Sequence, residues 1–191
     1  MILKKFITLA RNFICILGLF IISPFLFLGV LMVIIEDGLP IFFIQERIGK
    51  NKAVFSIIKL RTLKRNTPNT ATHQLDQSHK LFFGNIIRKI KLDEFPQLIN
   101  VLKGDINLIG PRPGLPSQFE LTNERVLKEI YTIKPGITGL AQVLGYDMSN
   151  PLKLAKVDKI YIENQSMQLD LMILLGTFFK YPRHHLRKLI A

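Results

Sequence analysis

The chain has one cysteine, Cys15, among 191 residues. That excludes an intrachain disulfide and a cysteine-ligated zinc site, and it fits a reducing compartment. Acids are scarce, with 14 Asp+Glu against 26 Lys+Arg and a net charge of +12. Such an excess implies an anionic partner (nucleic acid, acidic lipid or a phosphorylated substrate) without choosing among them. The histidines, His73, His79, His184 and His185, show no HExxH-like spacing and read as loop and interface residues. No internal period appears, and no low-complexity tract beyond the polar stretch 66–79. The length suggests one domain plus one extra element.

What is abundant is apolar: 48% of residues are hydrophobic, concentrated near the N-terminus. From Asn12 to Ile35 no side chain is charged, and a helix of that length reaches roughly 35 Å, enough for a bilayer core of about 30 Å. A cleaved signal peptide has a shorter apolar stretch and a small-residue cleavage site, which this run lacks. Ser23-Pro24 lies at its midpoint. Proline removes a backbone donor and kinks a helix, while a serine hydroxyl can satisfy the freed carbonyl. Basic residues flank both ends, with Lys4, Lys5 and Arg11 before and Arg47, Lys50, Lys52, Lys59 and Arg61 after. Positive charge prefers the cytoplasmic side. On these residues alone a straight span and a helix that bends at Ser23-Pro24 and returns to the same face both stand.

Beyond the run, residues 39–47 and 54–61 read as two short strands around a Gly49-Lys50-Asn51 turn. Residues 80–91 read as a basic amphipathic helix, 93–102 as another helix, 104–114 as a turn-rich stretch and 117–130 as a helix ended by Lys134-Pro135-Gly136. Residues 151–164 look helical. Leu169 to Tyr181 is an apolar helix with a basic tail, the pattern of a helix in a membrane interface. The fold class is therefore α+β, mostly helical, with a small hairpin. We divide it into a membrane helix, 1–38, and a membrane-associated catalytic domain, 39–191.

The sharpest local feature is Lys91-Leu92-Asp93-Glu94-Phe95-Pro96-Gln97. Adjacent acids are usually structural, and Asp93 would serve as a helix cap. Here the pair follows a basic amphipathic helix and precedes Gly110-Pro111-Arg112-Pro113-Gly114, where one arginine is held between two prolines. A rigidly placed guanidinium suits a phosphate group. A third segment, Lys134-Pro135-Gly136-Ile137-Thr138-Gly139-Leu140-Ala141-Gln142, allows tight backbone geometry and close approach of a ligand.

Taken together and in order, these stretches resemble the bacterial sugar transferase family, and in particular its small monotopic phosphoglycosyl transferases. Also matching are Pro40-Ile41-Phe42-Phe43, Gln45-Glu46-Arg47-Ile48-Gly49, Lys59-Leu60-Arg61-Thr62, and Asp158 through Tyr161-Ile162-Glu163-Asn164 to Leu169-Asp170-Leu171. Departures are Ile44 where arginine is common, Lys52 for a frequent glycine, Leu60 and Leu63 for phenylalanine and methionine, Leu144 for asparagine, and the absence of tryptophan. None touches the acidic pair, but Leu144 leaves the sugar open.

The resemblance implies transfer of a sugar-1-phosphate from a UDP-sugar to polyprenyl phosphate with release of UMP and with Mg²⁺, at the cytoplasmic face of a bacterial inner membrane. It favours the bent helix, broken at Ser23-Pro24, with Met1 and Ala191 both cytoplasmic. A carboxylate is a competent nucleophile toward phosphorus. We therefore expect Asp93 to attack, beside the metal, with Glu94 in support. Lys59, Arg61, Arg88 and Arg112 are expected to offset the substrates' negative charge, with Pro113, Gln142 and Asp158 as further substrate-site residues. For Asp158 an ordinary surface acid on its helix is the competing reading. The sequence leaves homodimerisation open. A nucleic-acid binder would need a basic groove or stacking aromatics on a soluble domain, and neither motif is found. A non-catalytic membrane scaffold is the remaining alternative.

Overall fold

A computed structural model describes residues 2–67 and 79–190, leaving out the side chains of residues 2–4 and 7. Most of the polar stretch 66–79, His73 with it, and both termini lie outside the described residues. Among the described residues there are mostly helices and two small two-stranded sheets, and the chain divides into two compact units.

The first unit comprises Met1–Gln45 and Ser56–Gly104. Its N-terminal element, α1 (Ile2–Asp37), is one helix with Pro24 inside it. Proline at 24 leaves the Phe20 carbonyl without its helical donor, and the Ser23 hydroxyl donates to that oxygen at 2.8 Å. One face of α1 packs on the rest of the unit, with Cys15 and Val33 fully buried and Ile22, Leu26 and Val30 partly so. The other face carries Phe6, Phe13, Phe20 and Phe27, one every seventh residue, and all four stand exposed. A stripe of that kind is apolar surface on a scale that soluble monomers rarely show. Its basic residues lie in its first part and its acids at its last two positions, so the charge-free run of the sequence lies within the helix.

Strands β1 (Phe42–Ile48) and β2 (Val54–Leu60) form a hairpin whose base belongs to the first unit and whose tip belongs to the second. At the tip Lys52 has φ of +62°, which is why glycine suits that position and why lysine there costs about 1 kcal/mol. Helix α2 (Phe82–Lys89) follows, shorter at each end than its amphipathic pattern predicts. It begins on Glu36, whose carboxylate accepts from Phe82 N and Phe83 N at 2.5 and 2.9 Å.

The helix expected over 93–102 is corrected. Residues Leu92–Glu94 form a single 3₁₀ turn, entered through Lys91 at φ +59°, and α3 runs only from Gln97 to Lys103. Pro96 explains the break: with no N–H it cannot close an α-helical bond to Leu92 O. That oxygen instead accepts from Phe95 N, at 3.3 Å.

The second unit comprises Glu46–Phe55 and Asp105–Ala191. Two strands that the sequence reading took for loops, β3 (Asn107–Ile109) and β4 (Gly136–Thr138), pair in parallel with Asn107 opposite Gly136 and Ile109 opposite Thr138. Around them lie α4 (Phe119–Leu127), α5 (Leu140–Leu144, also unforeseen) and α6 (Pro151–Glu163). Asn150 caps α6 by accepting from Lys153 N. The apolar C-terminal pattern is two helices, α7 (Met167–Phe178) and α8 (Lys180–Arg187), rather than one ending near Tyr181. Pro182 would leave Phe178 O without a donor in a continuous helix, whereas in the first turn of α8 its missing N–H is harmless. Ile173 and Leu186 pack into the core from these two helices, while Leu171, Phe178, Phe179 and Tyr181 stay exposed.

Candidate active site

In the first unit four of the expected residues come together. Asp93 and Glu94 share the 3₁₀ turn, Lys59 extends from β2 and Arg88 from α2. Lys59 Nζ lies 3.3 Å from Glu94 Oε1, both side chains mostly buried. Burial pushes the Asp93 carboxyl above the usual carboxylate range, and the Glu94 charge adds to it. Lys59 and Arg88 oppose the shift. Asp93 is thus a partly desolvated acid within the field of two cations.

Two framework contacts set this geometry. Asn100 on α3 is fully buried. Its Nδ2 donates to Ser56 O at 2.8 Å and its Oδ1 accepts from Ile58 N at 3.0 Å, so it pairs with β2 as a neighbouring strand would. Those two residues bracket Ile57, just before Lys59 in the strand, and Asn100 thereby fixes β2 against the helix that follows the acids. On the other side, Gly84 lets α2 approach the 62 backbone; a Cβ there would sit 2.3 Å from Thr62 O. The Thr62 hydroxyl accepts from Arg88 Nε at 2.6 Å. Neither Asn100 nor Thr62 was singled out by sequence reasoning, because each acts on a partner far along the chain.

Arg61 does not join the acids, which corrects its expected role on the substrate. A guanidinium has five N–H donors, and here each is engaged. Nε bonds Pro40 O, Nη1 bonds the Asp37 carboxylate and Leu63 O, and Nη2 bonds Asp37 O and Gly38 O. Nothing remains for a phosphate. Arg61 instead anchors the chain where it leaves α1.

In the second unit the Pro111-Arg112-Pro113-Gly114 loop is tied at four successive carbonyls. Pro111 O accepts from Gly136 N at 3.0 Å and Arg112 O from Arg125 Nη1 at 2.7 Å. Pro113 O accepts from Arg47 Nη1 at 3.1 Å and Gly114 O from Ile48 N at 3.0 Å. Asp158 is no surface acid. It is 2% exposed, and its Oδ2 accepts from Arg125 Nε and Nη2 at 3.1 and 2.7 Å. Burial pushes its carboxyl up and the Arg125 guanidinium draws it back. Arg125, 1% exposed, is the residue here that the sequence reading missed. Gln142 Nε2 donates to Ile137 O at 2.9 Å, holding the turn that follows β4.

Among the described residues no group of three His, Cys, Asp or Glu could hold a metal ion. Mg²⁺ at phosphate-handling sites is commonly held by one or two carboxylates with substrate oxygens and water, and Asp93 and Glu94 are the carboxylates of this turn.

Glu94→Gln removes a charge that raises Asp93 and releases Lys59, which lowers it. Both changes stabilise the carboxylate. The Asp93 carboxyl, followed by NMR of its side-chain carbon, is therefore expected to titrate at lower pH in Glu94→Gln. A titration that stays or moves up would contradict the coupling.

The chain is similar to known proteins along most of its length. The family model described as bacterial sugar transferase matches residues 3–184. The chain is 37% identical over 158 residues to a Bacillus subtilis protein named uncharacterized sugar transferase EpsL, covering 83% of this chain and 78% of that one. It is 36% identical over 166 residues to the UDP-glucose:undecaprenyl-phosphate glucose-1-phosphate transferase of Caulobacter vibrioides, covering 81% of this chain and 61% of that one. It is 30% identical over 192 residues to the undecaprenyl-phosphate galactose phosphotransferase of Salmonella typhimurium, covering 91% of this chain and 40% of that one. With the family model spanning nearly the whole length and the acidic pair set among cations, the chain belongs to the bacterial sugar transferase family and is an enzyme.

Proposed function

We propose that this enzyme transfers a sugar-1-phosphate from a UDP-sugar to polyprenyl phosphate through a covalent intermediate on Asp93. An Asp93 carboxylate oxygen attacks the phosphorus that bears the sugar. The bond from that phosphorus to the UMP oxygen breaks, and UMP leaves. A phosphate oxygen of the lipid then attacks the same phosphorus, expelling the Asp93 carboxylate and giving the polyprenyl-diphosphate sugar. The observation that carries this reading is the partly buried Asp93 carboxyl, raised yet attended by Lys59 and Arg88. Desolvation makes a carboxylate more reactive, and the cations offset the charge that two anionic substrates bring.

Arg112, on its braced loop, binds a phosphate. Glu94 holds Lys59 in place, and Pro113 and Gln142 shape the loops of the second unit. Mg²⁺ held by Asp93 and by phosphate oxygens would neutralise developing charge when bound.

The polyprenyl chain stays in the bilayer with its phosphate at the headgroups, so the enzyme works at that depth. Residues 1–38 serve as a re-entrant anchor for the catalytic domain of residues 39–191, at the cytoplasmic face of the inner membrane. Packing on both sides of Pro24 supports this. A Cβ at Gly18 would lie 3.5 Å from Leu98, and one at Gly29 would lie 3.1 Å from Leu92. If α1 crossed the bilayer upright, those contacts would drag the acidic turn and α3 into the hydrocarbon. A shallow, bent entry keeps them at the interface.

The test is UMP release. Purified enzyme with polyprenyl phosphate and a panel of UDP-sugars is expected to release UMP in multiple turnovers with at least one donor, and no more than one UMP per enzyme when the lipid is left out. No release with any donor would overturn the reading in favour of a non-catalytic scaffold.

A further inference from the structure

We infer that Arg125, buttressed by Asp158, is a positioning residue that aims Arg112 at the substrate phosphate. The inference rests on the proposed role of Arg112. Arg125 is itself too buried to meet a substrate. Its planar fork instead divides between two tasks: Nε and Nη2 grip one oxygen of Asp158, and Nη1 reaches the Arg112 carbonyl. The pair joins α4 to α6, so two helices brace one peptide unit.

The bond falls on the residue whose side chain matters. Prolines 111 and 113 restrict the backbone torsions at and around Arg112, and the neighbouring carbonyls are held by Gly136 N, Arg47 Nη1 and Ile48 N. Arg125 supplies the bond that fixes Arg112 itself. A buried ion pair is poor evidence for stability as such, since apolar residues of similar size often stabilise as well or better. Its geometry is therefore the reason for its presence. Lysine cannot substitute, because one ammonium on a flexible stem does not reproduce a fork that serves both Asp158 and a carbonyl.

A double-mutant cycle on UMP release tests this. Arg125→Lys keeps a charge for Asp158 and loses the fork. It is expected to lower kcat/KM for the UDP-sugar about 100-fold, the scale of a 1 Å misplacement, in enzyme that is still folded at the assay temperature. Arg112→Ala is expected to cost at least as much. Combined, the two are expected to cost no more than Arg112→Ala alone, because Arg125 acts only through Arg112. Arg125→Met with Asp158→Leu, which replaces the pair by apolar groups, reads the same cycle should the lysine variant fold poorly. It is expected to hold Tm while losing activity. If Arg112→Ala costs activity and the Arg125 loss adds to it in full, the positioning role is wrong and the proposed function stands. If Arg112→Ala leaves kcat/KM intact, the reading of Arg112 fails first and takes this inference with it.

Discussion

Asp93→Asn is expected to lower UMP release by on the order of 10⁴–10⁶-fold, the scale seen when a covalent nucleophile is removed. It should also abolish any phosphosugar adduct on the peptide containing Lys91–Gln97 when the enzyme meets donor alone. Asparagine keeps the shape and loses the reacting oxygen's charge, so substrate binding should survive and kcat should carry the loss. The same change is expected to raise Tm, measured without divalent metal. The folded pKa of Asp93 lies above its unfolded value because burial and Glu94 both disfavour the ionised form. An ionised Asp93 therefore costs stability, a cost absent below the unfolded pKa and fully present once pH exceeds the folded one. The Tm advantage of Asp93→Asn should accordingly open as pH rises and close in acid. A variant that still forms the adduct would end the nucleophile assignment. One that loses activity and stability together would point to a structural acid.

Gly136→Ala is expected to destabilise the second unit by about 3 kcal/mol or more. A Cβ there would sit 2.1 Å from Gly110 N, 2.6 Å from Ile109 C and 2.7 Å from Thr138 O. All three are backbone atoms, so no side-chain rotation relieves the clash: the contacts with Ile109 and Gly110 yield only if β3 parts from β4, and the one with Thr138 O only if β4 itself distorts. The Gly136 N bond to Pro111 O would go with it, loosening the Arg112 loop and lowering activity as well. Gly145→Ala is the control. It has φ +86° and open space around it, and should cost only about 1 kcal/mol. Denaturant unfolding in detergent, followed by circular dichroism, separates the two. A Gly136→Ala loss no larger than the control's would show that the strands part easily.

What was legible in the sequence is what repeats locally. The apolar run became α1, the two short strand segments became the hairpin, and the patterns at 80–91 and 151–164 became α2 and α6. Ser23 was expected to take up a carbonyl freed by Pro24, and it does. What escaped notice was short or remote. Strands β3 and β4 have three residues each, too few for an alternation to register, and their glycines read as turns. Two prolines broke helices that apolar spacing had made continuous. Asp93, Glu94, Lys59 and Arg88 gather as their motifs suggested. Arg61 looked like a fifth member because a cation beside a strand carries no sign of whether its donors are already spoken for. Arg125 stands 33 residues from Asp158 in the chain, so no local pattern ties it to the acid that the resemblance had already named.

The carboxylate of Glu36 closes the first turn of α2 from the last turn of α1. That junction behaves as a welded elbow rather than a hinge. Whatever slope the lipid imposes on α1 is inherited by α2, by the Arg88 it carries and by the acidic turn just beyond. On the proposed function, the bilayer is then part of the tooling that holds the reaction centre in alignment, and its thickness becomes a variable of the chemistry.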